Sequence, residues 1–225
     1  LVNNLLDFIL TDINKYKKIF DDVLLDKKYH HYVYYLIKYV TLLPRNKKVV
    51  PIVVNYINEA CNYKLIFDGL ANKILRFYIK INFAHTINDK IIITSLLYTN
   101  SFTIKKIHTM LEKTIKHPRN CLHIIVKEFN GYPDRKLTMI INYLIETCDM
   151  SIRDDILINR NKEIVRYILR HYPQNCHITG VILDTYQPQT DIIDALLSYM
   201  NKKEIKTMLD TTNTQKYREI ISKLL

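Results

Sequence analysis

The chain repeats one apolar signature along much of its length: two adjacent aliphatic residues, then a second pair one helical turn later. It appears as Ile140, Ile141, Leu144 and Ile145, then as Ile164, Val165, Ile168 and Leu169. It returns as Ile192, Ile193, Leu196 and Leu197, and as Ile220, Ile221, Leu224 and Leu225. Such positions share one stripe of a 3.6-residue helix, so each segment predicts an amphipathic helix with that stripe turned to a core. Looser versions occur at Leu5, Leu6, Ile9 and Ile13, and at Val33, Leu36, Ile37 and Val40. Two more occur at Ile74, Leu75, Tyr78 and Ile79, and at Ile104, Ile107, Met110 and Leu111. Eight helices of one kind in 225 residues give the expected fold class, all-α.

Shorter apolar stretches lie between these helices, and Val49 to Val54 and Ile91 to Ile93 are rich enough in β-branched residues to keep a strand reading open. Turns are marked by Pro44, Pro118, Pro133, Pro173 and Pro188, which suit helix starts and connections. No low-complexity tract or long linker interrupts the chain. It is therefore read as a single helical-repeat domain over 1–225, with 1–64 as a divergent N-terminal cap and 65–225 as the stack.

Glycine is scarce: Gly69, Gly131 and Gly180 are the only three. Phosphate-cradling loops need consecutive glycines with free access to positive φ, so nucleotide-binding enzymes of the P-loop and Rossmann kinds are excluded. Plentiful Ile, Lys, Asn and Tyr beside no Trp match an A+T-rich coding genome, as in large DNA viruses and some parasites.

Helix anchors give a repeat length. Ile74, Ile107 and Ile141 stand 33 and 34 positions apart, and Ile164, Ile192 and Ile220 follow at 23, 28 and 28. A period of 33 is the ankyrin length, two helices and a turn per unit. The stretch Asn120 to Val126 resembles the Thr-Pro-Leu-His opening of an ankyrin first helix, and Asn161 to Leu169 resembles its second helix. With the composition, the chain is similar to the divergent ankyrin-repeat proteins of poxviruses. That resemblance implies a stack of antiparallel helix pairs that binds another protein through its concave face and hairpin tips, often a host defence component. It makes Leu122 and His123 structural residues, Leu122 in the core and His123 fixing the turn between repeats. Hairpin-tip residues Arg119, Asp149 and Gln174 become candidate partner contacts. The Thr-Pro half of the motif is missing, and no F-box-like terminus is present.

Cys121 with His117 and His123, and His171 with Cys176 and His177, lack the paired short spacings of a structural zinc site, so no metal and no cofactor is expected. No nucleophile elbow occurs, and the adjacent carboxylates Asp21-Asp22 and Asp154-Asp155 would diverge on a helix as solvated first-turn residues. The expectation is a non-enzymatic protein. The 33 Lys and Arg against 22 Asp and Glu give a net +11, spread along the chain, which leaves nucleic-acid binding or virion association as the alternative. Six tyrosines cluster near residues 16 to 39, and Tyr32 and Tyr35 are candidate partner contacts because exposed Tyr favours interface hot spots. No run of 18 apolar residues suggests a membrane span, and four scattered cysteines suit a reducing compartment. The expected setting is the host cytoplasm or, from the basic patch at Pro44 to Lys48, the nucleus.

Overall fold

A computed structural model of the chain describes residues 51, 54, 57, 58, 68–80, 87–100, 102–129, 132–158 and 160–225, and these are mostly helical. The chain divides into two compact units between Thr114 and Ile115. The expected cap boundary at residue 64, the helices expected at Leu5 to Ile13 and Val33 to Val40, and Tyr32 and Tyr35 all lie outside the described residues.

The first unit contains α1 (Asp68–Lys80), α2 (Asp89–Tyr98) and α3 (Ile104–Thr114), and α2 packs against both its neighbours. Ile91 to Ile93, where a strand was open, are helical. The physical reason is burial on all sides: Ile91, Ile92, Ile93, Thr94, Ser95 and Leu96 are all inside, so this helix shows a continuous apolar run in place of a stripe. Its start is fixed by Asn88, whose side chain accepts from Lys90 N–H. Val54 and Ile57, also helical and buried, belong to the same unit, and Asn58 Oδ1 accepts from Asn88 N–H at 2.8 Å.

The second unit runs through α4 (Pro118–Glu128), α5 (Arg135–Asn142) with a π turn over Tyr143–Thr147, β1 (Ile152–Arg153), α6 (Asp154–Leu157) and α7 (Lys162–His171). A 3-10 turn at Pro173–Asn175 leads to β2 (Cys176–His177), α8 (Gly180–Tyr186), α9 (Thr190–Tyr199), α10 (Lys202–Thr211) and α11 (Gln215–Ser222). Helices pack on alternate partners: α4 on α6, α8 on α10 and α7 on α9. The strands β1 and β2 form a two-residue parallel ladder, Ile152 with Cys176 and Arg153 with His177, which clips two turns together without making a sheet layer.

The aliphatic stripes supply the core: Ile140, Ile141, Leu144, Ile145, Ile164, Val165, Ile168 and Leu169 are fully buried, as are Cys121, Leu122, Ile125 and Val126 of α4. Among the described residues four stripe positions are exposed instead: Ile79, Ile104, Leu224 and Leu225. Each stands at the last or first turn of its helix or beyond its end. Helix α10 carries no paired aliphatic stripe. Only Ile205 and Met208 are buried on it, and it is held at its start by a reciprocal capping box between Asn201 and Glu204.

Candidate functional site

Segments of the second unit that are distant in sequence are tied by polar side chains. Asn161 caps α7 through Glu163 and Ile164 N–H, while its own Nδ2 donates to Phe129 C=O at 3.0 Å and its N–H to Val126 C=O. The Tyr186 hydroxyl donates to Leu157 C=O and accepts from Arg160 N–H at 2.6 Å. Asp154 accepts from both the N–H and the hydroxyl of Thr179. The solvated first-turn reading of the Asp154-Asp155 pair therefore fails for Asp154, which is half-buried and bonded 25 residues away, while Asp155 is exposed but paired with Arg119. Asp184 accepts from Asn213 and Thr214 N–H. Burial alone would raise the Asp184 pKa, but those donors outweigh it and hold the carboxyl below its ordinary value.

Gly180 begins α8 where α10 ends. A Cβ there would stand 2.5 Å from Met208 C=O and from Thr212 N, and its own N–H donates to Thr211 Oγ1 at 2.8 Å. Glycine is required for the close approach of two backbones, not for a turn.

The expected site residues fall into three places. Leu122 is in the core of α4, and His123 on the same helix accepts from Arg160 Nη2 at 3.3 Å, linking α4 to the connection before α7. Burial, then the Arg160 and Lys127 charges, push the His123 pKa down. Arg119 lies within α4, where its Nη2 donates to both carboxylate oxygens of Asp155 on α6. Asp149 and Gln174 are exposed on two adjoining turns joined by β1, β2 and by Asn175 Nδ2 donating to Met150 C=O. Asp149 holds a left-handed backbone, φ 43°.

The histidine and cysteine clusters have other employment. Cys176 is buried with its thiol donating to Tyr172 C=O, and burial pushes its pKa up to about 12, so it is a poor nucleophile. His177 pairs with Glu204 at 2.7 Å. The Asn201 N–H, then His177, hold the Glu204 carboxyl below its ordinary value. Among the described residues no group of three or more His, Cys, Asp and Glu could hold a metal ion, and no described helix is long and apolar enough to cross a membrane.

A concavity of about 600 Å³ on this unit lies over the polar side of α7. Its floor is Glu163, Arg166, Tyr167, Arg170 and His171, and its walls are Pro133 and Thr138 on one side and the loop from Gln187 to Gln189 with Ile192 on the other. Arg166 pairs with Glu163 at 3.1 Å, Arg170 donates to Gln189 Oε1 at 2.7 Å, and the Tyr167 and His171 rings stand 4.4 Å apart between centroids. The Tyr167 hydroxyl donates to Asn142, which fixes its ring, and burial raises its pKa. Sequence reasoning missed this groove, although one signal was present. Arg166 and Arg170, like Tyr167 and His171, are spaced i, i+4 on a helix already expected, so each pair had to share a face.

No protein-family model, no curated protein and no solved structure matches this chain.

Proposed function

We propose that this chain is a non-enzymatic protein–protein interaction scaffold, a stack of ankyrin-like helix pairs in a viral protein that binds a host protein to modulate host defence or host range. The observation that carries the reading is the nearest-neighbour pattern of the second unit. Alternate helices pack on one another, α4 on α6 and α8 on α10, and side chains tie each pair to the next across 25 to 37 positions. Contacts confined to adjacent units are how solenoid repeats build a long surface from small pieces. The repeat-like stretches support the same reading: Asn120 to Val126 lie in α4, and Asn161 caps the α7 helix that Lys162 opens.

Affinity purification of the tagged full chain from host cells, followed by mass spectrometry, tests the reading. Reproducible enrichment of one protein or complex that survives nuclease treatment is the expected result. Retention on DNA or RNA that falls steeply between low and physiological salt, with no protein enriched, overturns it in favour of a nucleic-acid-binding role.

A further inference from the structure

We infer that the groove over α7 is the docking site for an acidic peptide segment of the partner, with Arg170 as its anchor. The inference rests on the scaffold reading and deepens it. The groove is built on one helix face: Glu163, Arg166 and Arg170 form one edge, and Tyr167 with His171 forms the other.

The charges on that face are unevenly matched. Glu163 is answered by Arg166 at 3.1 Å, and the second end of the Arg166 guanidinium reaches toward Tyr186 C=O. Arg170 is exposed and meets only the neutral amide oxygen of Gln189 at 2.7 Å, so its positive charge is uncompensated. A guanidinium held by one neutral acceptor keeps donors to offer a carboxylate in the two-pronged geometry that Arg favours.

The rest of the groove fits a peptide better than a phosphate backbone. The Tyr167 and His171 rings, inclined at 38° to one another, place aromatic surface beside the cation, and Pro133 and Pro188 line the same groove. Tyr132, immediately before Pro133, is 78% exposed, the greatest exposure of any large hydrophobic side chain among the described residues. Aromatic residues and Arg around a concave centre are the composition of protein interfaces. A nucleic-acid strand calls for a row of unpaired cations at phosphate spacing, whereas among the described residues of this floor Arg166 is paired with the Glu163 carboxylate and Arg170 is the arginine without an acidic partner.

The test pans a random-peptide display library against the immobilised full chain and measures the selected peptides by fluorescence anisotropy, with a poly-thymidine oligonucleotide as competitor. The expected pool is enriched in Asp and Glu. Its affinity falls about tenfold or more in Arg170→Glu and by a smaller factor in Arg170→Gln, and is unchanged in Lys202→Glu on α10. Both Arg170 variants are expected to melt as the parent does, because the side chain is exposed. Four outcomes overturn the proposal: no peptide selected, a pool without acidic bias, equal losses in the Arg170 and Lys202 variants, or displacement by the oligonucleotide. If the purified host partner binds Arg170→Glu as well as the parent, the groove is wrong and the scaffold reading stands. If no partner is found at all, the scaffold reading fails first.

Discussion

Helices α4, α6 and α8 all bury aliphatic side chains, with very different lengths of helix. The first has 11 residues, whereas α6 has four and α8 has seven. A helix of four residues is one turn, too short to hold itself by its own ladder. What it lacks in length is supplied by side chains. Between Asp154 and Asn161 the chain is bonded to Thr179, Tyr186, His123, Phe129 and Val126, and β1 beside it is clipped to β2. The seven-residue α8 is seated by a different device, the missing side chain of Gly180, which lets α10 approach to backbone contact. The short helices α6 and α8 are thus held by groups on neighbouring segments, whereas α4 also buries Cys121, Leu122, Ile125 and Val126 along its own length.

That contrast breaks first at Gly180. Gly180→Ala drives a methyl group against Met208 C=O and Thr212 N, backbone atoms that cannot rotate away, and is expected to cost about 3 kcal/mol or more in urea unfolding of the full chain. A loss below about 1 kcal/mol would mean that α8 and α10 can slide apart without consequence.

Tyr186→Phe keeps the ring in the core and leaves Leu157 C=O and Arg160 N–H without their partner. The expected cost is about 1–3 kcal/mol by the same measurement, since a buried polar group left unpaired forfeits its solvation. An equal loss from removing a polar tie on α4 would erase the contrast between the long and short helices.

His123 sharpens the comparison through pH, because it joins long α4 to the connection before α7 through Arg160. Its folded pKa lies below the ordinary 6.5, so the unfolded chain binds the proton more readily. Stability is therefore full above pH 6.5, falls as the pH drops toward the folded pKa, and levels out beneath it. Thermal melts between pH 7.5 and about 5 should show this slope, and His123→Gln, which keeps an acceptor for Arg160, should flatten it. Glu204 and Asp184 act in a lower window: their depressed carboxyl pKa values add a loss of stability only as the pH falls below about 4.5, the ordinary carboxyl value.

The smallest effect is expected at Arg119. Its Nη2 reaches both carboxylate oxygens of Asp155, yet the two side chains are 49% and 63% exposed. Arg119→Ala should cost less than about 1 kcal/mol, measured against Tyr186→Phe in the same buffer. A larger loss would make surface pairs, not buried ties, the cement of the stack.

Several of these elements were legible in advance. The stripe Ile164, Val165, Ile168, Leu169 gave α7 directly, and Asn161 before it is its cap, because a side-chain acceptor at that position is a local matter. The helix α10 was not foreseen, since Ile205 and Met208 alone make no stripe among lysines; the Asn201–Glu204 spacing of a capping box was the signal available. Asp154 was read as solvated because its partner Thr179 stands 25 positions away. The Ile91 to Ile93 run was ambiguous for the opposite reason: a helix buried on every side shows no period.

By itself, then, the sequence determined that the chain is helical, which faces are apolar, and that glycine-dependent phosphate loops are absent, because these follow from short-range spacing and from φ preferences. Only the tertiary structure decided which helices meet, why Gly180 must be glycine, and that Arg166, Tyr167, Arg170 and His171 face a groove walled by Pro133 and Pro188. Those facts depend on groups brought together from distant positions, and burial, hydrogen-bond satisfaction and charge balance are properties of the surroundings a residue finds there.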